Sequence, residues 1–206
     1  MNKNNYIIAF DLHGVLFNHD YKKMFQTLWE CKQKWKLALG LANPFVWLDA
    51  FKLLYKKSIA EEYVVKIGNK YSFLKPFIST GLKFLNQQKP NVKTIKIVTN
   101  LKDAGYTLHL FSNIGPQLFT DLKSEYPQLF NNFSEICIPL KENNYLSKYT
   151  LQAFTNYLNK HNKKNKSVLF IDDKLKNIKL AQKQNIETIH FKSAEQLSIG
   201  LKKIIL

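Results

Sequence analysis

Residues 6–10, Tyr-Ile-Ile-Ala-Phe, form an unbroken apolar run that stops at Asp11, with Gly14 three positions on. So short a run, with no polar alternation, predicts a strand covered on both faces, as in a parallel sheet. Glycine just beyond it marks the turn. Comparable runs recur at 107–111, before Ser112 and Asn113, at 136–138, before Pro139, at 168–171, before Asp172 and Asp173, and at 188–191, after Asn185. Helical patterns separate them. Pro116 occupies a first-turn position ahead of Leu118, Phe119 and Leu122, Leu175, Ile178 and Ala181 repeat at helical spacing, and Ser193 with Gln196 makes a capping box before Leu197. This alternation predicts an α/β protein with a doubly wound parallel sheet.

Between about residue 18 and residue 90 strand runs vanish and helical patterns replace them. Asp20 precedes an apolar stripe at Tyr21, Met24, Phe25, Leu28 and Trp29; Asn43-Pro44 opens another helix; Ser58 with Glu61 makes a second capping box; and Pro76 starts a further helix. The division expected is a core of residues 1–17 and 91–206 with an all-helical cap of residues 18–90. Within the cap, 37–55 is the most apolar stretch. Asn43, Pro44, Asp49 and Lys52 interrupt it, so a membrane span is not expected. The reading favoured is a helix buried in the cap, and the alternative is a helix lying on a membrane surface. Residues 159–166, rich in Lys and Asn, read as a solvated loop.

The charge balance narrows the partners. The net charge is +16, and all 31 basic residues are Lys. Such a field attracts anions, but without Arg the bidentate guanine contacts of specific DNA readers are out of reach. Small anionic substrates suit the chain better, although Lys and Asn share A-rich codons and a biased genome also explains the excess. Cys31 and Cys137 match no metal or redox spacing and read as free buried thiols of a reducing, cytoplasmic setting. The N-terminal apolar run is too short for a signal peptide.

Each predicted strand ends on a small, reactive or charged residue. In open α/β sheets the carboxyl ends of the strands form the ligand crevice. Asp11, Ser112, Asn113, Asp172, Asp173 and, after the third core strand, Lys148 would therefore converge. A carboxylate nucleophile, further carboxylates for Mg²⁺, and hydroxyl and ammonium donors are the parts that phosphoryl transfer requires.

The motifs Phe-Asp-Leu-His-Gly-Val-Leu-Phe from Phe10, Leu-Phe-Ser-Asn from Leu110, a Lys before a helix, and Phe-Ile-Asp-Asp-x-x-x-Asn from Phe170 stand in that order. Together they resemble the haloacid dehalogenase (HAD) superfamily. The Asp11–Ser112 separation of 112 − 11 = 101 residues is similar to that of members with a helical cap at this position. Residues 95–192 also resemble its small sugar-phosphate phosphatases. The resemblance implies a Rossmann-like core and Mg²⁺-dependent hydrolysis of a phosphate ester. In it, Asp11 attacks phosphorus; Asp11, the backbone carbonyl of His13 and Asp172 hold Mg²⁺; Ser112 and Asn113 bind the phosphoryl oxygens. Lys148 neutralises charge on Asp11 and phosphate, Asp173 orients the metal's surroundings, and Asn177 holds the loop after Asp173.

One position departs from the pattern. Most phosphatases of the family carry, two residues after the nucleophile, an Asp that serves as general acid and base; here it is His13. Three readings stay open: His13 does the acid–base work, it is a bystander beside a good leaving group, or turnover is lost and a binding protein remains. A metal-free 2-haloacid dehalogenase is a further alternative, against which the Asp172-Asp173 pair speaks. The histidines at 19, 109, 161 and 190 have no metal-site spacing and are read as bland.

Overall fold

The computed structural model describes residues 6–55, 60–143, 146–161 and 166–204. Its centre is a five-stranded, wholly parallel sheet built from β1 (Tyr6–Phe10), β4 (Thr107–Phe111), β5 (Glu135–Cys137), β6 (Ser167–Asp172) and β7 (Glu187–His190), in the order β5-β4-β1-β6-β7. The chain leaves β1 to one side for β4 and β5, then returns to the other side for β6 and β7. β1 is thus the central strand, and the reversal of order beside it is where a doubly wound sheet opens its crevice.

Side-chain alternation sorts the sheet into two apolar layers. Ile8, Phe10, Leu108, Leu110, Leu169 and Ile171 face one way. They pack with Val98 and Leu101 of α6 (Val92–Asp103), Leu118 and Leu122 of α7 (Pro116–Glu125), and Leu197 and Leu201 of α11 (Ala194–Ile204). Ile7, Ala9, Val168 and Phe170 face the other way, onto Phe154 and Tyr157 of α9 (Leu151–His161) and Ile178 and Ala181 of α10 (Leu175–Gln182). Every residue of β1 is buried, which is why its sequence carries no polar alternation. A one-turn helix, α8 (Pro127–Phe130), follows α7.

The segment between β1 and α6 departs from expectation in three ways. It is not purely helical, since β2 (Phe17–His19) pairs antiparallel with β3 (Gln88–Pro90), His19 opposite Gln88. Strands of three residues are too short to show a period. Second, the 37–55 stretch is not a buried helix. It splits at Asn43-Pro44 into α2 (Lys34–Leu41) and α3 (Pro44–Tyr55), and Phe45, Trp47, Leu48 and Phe51 are exposed. Third, the apolar stripe of α1 (Tyr21–Trp29) is split: Met24 is buried and Leu28 half-buried, while Tyr21, Phe25 and Trp29 face water. The Asp20 side chain caps α1 by accepting from the Lys23 backbone N–H (3.1 Å).

Two further helices complete this segment, α4 (Ala60–Lys70) and α5 (Ile78–Leu85), the latter preceded by a 3₁₀ stretch (Ser72–Phe77) that contains Pro76. α1 packs on α5, and α4 packs on both α5 and the 3₁₀ stretch. Its small core is Val46, Leu74 and Phe77, with Leu37, Ile67 and Cys31 against it. The capping box at Ser58 lies outside the described residues. Residues 159–161, expected in a loop, form the last turn of α9, with 162–165 outside the described residues. Cys31 and Cys137 are free, but half-buried rather than buried. No helix among the described residues is long and apolar enough to cross a membrane.

Candidate active site

The carboxyl ends of β1, β4 and β6 meet above the switch point, and the site grows from their last residues. The backbone N–H of Asp11 donates to the Ile171 carbonyl (2.8 Å), and that of Ser112 to the Cys137 carbonyl (3.0 Å), so sheet hydrogen bonding continues into the first residue past each strand. Asp11 is 3% exposed, Ser112 1% and Asp172 0%. Beyond Asp11 the chain must turn away at once. Gly14 does this at φ +83°, a conformation open to glycine. A Cβ there would also overlap the Asp173 carboxylate.

Lys148 ties the site together. Its Nζ lies 2.7 Å from Asp11 Oδ1 and 2.7 Å from Asp172 Oδ2, and the side chain is fully buried. Burial alone would push its pKa down, but the Asp11 and Asp172 carboxylates outweigh that and hold it above the usual lysine value. The approach of Lys148 is set by Asn113, whose Oδ1 accepts from the Lys148 backbone N–H (2.7 Å). Asn177, at the first turn of α10, donates to both oxygens of Asp172 (3.1 and 2.9 Å), and the Lys174 backbone N–H adds a third bond (2.8 Å). Asn177 thus grips the Asp172 carboxylate directly. His190, read as bland, donates from Nε2 to the Asp173 carbonyl (3.0 Å) and holds that end of the loop.

Asp11, Asp172 and Asp173 can each offer an oxygen within 4.8 Å of the others. Asp173 Oδ1 is buried without a hydrogen-bond partner. Burial, opposed by Lys174 and reinforced by Asp172, raises the Asp173 pKa, and burial with Asp11 raises that of Asp172. By formal charge, three carboxylates against the Lys148 ammonium sum to −3 + 1 = −2, a balance that a divalent cation fits.

Above the cluster lies a cavity of about 410 Å³, within the usual size of small-molecule sites. Asp11, His13, Ser112, Asn113 and Lys148 line it, as do Lys174 and Lys176 at the start of α10. The helical segment supplies the opposite wall through His19, Glu61, Tyr63 and Leu85. Glu61 crosses to the core, where its carboxylate accepts from the Leu118 backbone N–H of α7 (3.4 Å) and packs against Gly115.

His13 has two partners that the sequence did not reveal. The Gln88 amide donates to its Nε2 (2.6 Å), and the His19 ring stacks against it, centroids 6.1 Å apart. Burial, then His19, Lys174 and Lys148, lowers its pKa to about 3, so the ring is neutral near pH 7. Gln88, His19, Glu61, Lys174 and Lys176 are the residues that sequence reasoning missed. Gln88, Lys174 and Lys176 belong to no motif, Glu61 is legible only as part of a capping box, and His19 reaches His13 only through the β2–β3 pairing.

No family model and no curated protein matches this sequence. Solved structures do. A predicted HAD-like family hydrolase from Porphyromonas gingivalis superposes with a TM-score of 0.65 at 19% identity, covering 97% of this chain and 97% of that one. A HAD family enzyme from Bacteroides thetaiotaomicron gives 0.63 at 17% identity, covering 96% and 98%; it has also been solved with magnesium and inorganic phosphate. The L-2-haloacid dehalogenase of Xanthobacter autotrophicus gives 0.60 at 14% identity, covering 98% and 83%. The chain has the fold of the HAD family hydrolases.

Proposed function

We propose that this chain is a Mg²⁺-dependent phosphatase that hydrolyses a small phosphorylated metabolite through an aspartyl-phosphate on Asp11. The observation that carries the reading is the convergence of Asp11, Asp172 and Asp173, whose formal charge exceeds that of Lys148, with the unpartnered Asp173 Oδ1. Asp11, the His13 backbone carbonyl and the 172–173 pair would hold the ion. Hydrogen bonding favours Asp173 over Asp172 as the ligand, because both oxygens of Asp172 already accept from Lys148, Asn177 or Lys174. That exchanges the roles implied by the resemblance. When bound, the ion offsets the charge of the phosphoryl group.

The chain's own groups account for the rest. Asp11 Oδ1 accepts from the Leu12 N–H (2.6 Å) and from Lys148, which assigns attack to Oδ2. A bond forms from Oδ2 to phosphorus, the ester P–O bond breaks, and its electron pair leaves with the alcohol oxygen, which takes up a proton. Water then cleaves the acyl phosphate and restores Asp11. The Ser112 hydroxyl and the Asn113 amide N–H₂ donate to the phosphoryl oxygens, and the Lys148 ammonium, 2.7 Å from Asp11 Oδ1, offsets negative charge there. With His13 Nε2 engaged by Gln88, the leaving-group proton is assigned to solvent. That favours esters of good leaving groups and leaves His13 to position the turn. The segment of residues 18–90 acts as the cap that selects substrate, with Glu61 and Tyr63 facing the cavity.

Hydrolysis of p-nitrophenyl phosphate and a sugar-phosphate panel, with and without Mg²⁺, tests this. Asp11→Asn is expected to lower turnover by roughly 10³-fold or more. Activity that survives this change sinks the proposal, and halide release from 2-haloacids without Mg²⁺ transfers the site to the dehalogenase reading.

A further inference from the structure

We infer that the outer face of the cap docks on an anionic lipid surface, a role separate from the phosphatase reading. The three tryptophans of the chain, Trp29, Trp35 and Trp47, are 73%, 77% and 52% exposed, one on each of α1, α2 and α3, and Phe25, Phe45 and Phe51 are exposed on α1 and α3. Exposed large apolar side chains elsewhere, such as Val92, Leu175 and Ile199, are single and scattered. A concentration of this kind marks an interaction surface.

Charge decides the occupant. Residues 21–52 hold six lysines (22, 23, 32, 34, 36 and 52) against two acids, Glu30 and Asp49. Lys34 is half-buried and the other five are exposed. Lysines interleaved with exposed aromatics are the composition of segments that lie in a membrane interface. Each lysine near an acidic leaflet adds attraction. Two copies of the chain meeting through this face would bring lysine against lysine, which opposes self-association. The Lys34 ammonium lies 3.9 Å from the centre of the Trp29 ring. It also donates to the Trp29 backbone carbonyl (3.3 Å), so a cation is fixed beside an exposed aromatic ring of this surface. α1 and α3 have 9 and 12 residues, too short to span a bilayer, so the contact is peripheral.

The test uses the full chain with vesicles of phosphatidylcholine, with and without phosphatidylglycerol. Co-flotation with the phosphatidylglycerol vesicles is expected, together with a blue shift of tryptophan emission and release in high salt. The double variant Trp35→Ser/Phe45→Ser, both at water-exposed sites, is expected to keep its melting temperature and bind about tenfold more weakly. Asp11→Asn is expected to bind like the parent chain, whatever becomes of the phosphatase reading. Absence of flotation and shift overturns the inference, as does equal binding to neutral vesicles. A blue shift that appears without lipid as the chain dimerises also overturns it, by giving the face to a second copy.

Discussion

Gln88, two residues before the end of the segment of residues 18–90, places its side-chain amide 2.6 Å from Nε2 of His13. The two positions are 75 residues apart. The contact forms because β3 returns beside β2, directly above the turn that follows Asp11. The ring nitrogen that could reach a leaving group is therefore spent on a partner within the protein, and that shapes the expected kinetics.

Under this arrangement the parent chain should hydrolyse p-nitrophenyl phosphate much faster than alkyl phosphates, whose leaving oxygens need a proton. His13→Asp would supply a carboxyl acid and should narrow that gap, by about tenfold or more for alkyl esters, part of the roughly 10²–10⁴-fold that general acid catalysis contributes. The ratio of kcat/KM for the two ester classes is the measurement. An unchanged ratio returns the acid role to His13 or removes it from both.

Mg²⁺ should stabilise the fold irrespective of turnover. Because the ion binds the native cluster, stabilisation follows mass action, near 2.7 kcal/mol at about 100 times Kd. Thermal melts with increasing Mg²⁺ should show a rising Tm. Asp173→Asn should flatten that rise more than Asp172→Asn does, and the reverse order would restore Asp172 as the principal ligand.

Removing Lys148 should destabilise the chain as well as silence it. Lys148→Met keeps the bulk but leaves the Asp11 and Asp172 carboxylates buried and facing each other. Losing one partner of a buried ion cluster costs about 3–5 kcal/mol. Urea unfolding without Mg²⁺ reads this loss, and added Mg²⁺ should recover part of it.

Acid sensitivity should have a component far from the site. His109, on β4, is 2% exposed, and its Nδ1 lies 2.8 Å from the Tyr157 hydroxyl. Burial, then His161 and Lys166, lowers its pKa to about 4. The fold prefers the neutral ring, so its stabilising contribution is complete above the unfolded value near 6.5. It is lost as pH falls from there to about 4, and is constant below. The loss is at most about 3 kcal/mol. Denaturant midpoints across that window should fall less steeply in His109→Gln.

The core was legible in the sequence because full burial erases polar alternation. Tyr6–Phe10 therefore announced a strand covered on both faces, and the residues ending β1, β4 and β6 became the floor of the site. What escaped depended on long-range pairing. Three-residue strands carry no period, so β2 and β3 were invisible, and with them the contacts of His13 to Gln88 and His19. Apolar identity also failed to report the direction of exposure in α1 to α3. The core of Val46, Leu74 and Phe77 is too small to cover so many aromatic side chains, so those left over face water.

The Glu61 carboxylate fills the space where Gly115 has no side chain. Positions 61 and 115 therefore share one volume, although 54 residues separate them (115 − 61). Any side chain at 115 would evict the carboxylate and wedge the two halves of the cavity wall apart. A shorter residue at 61 would make room for alanine at 115 at little steric cost. Engineering of this cavity must treat the two positions as a single choice, because a change at one selects which residues the other tolerates.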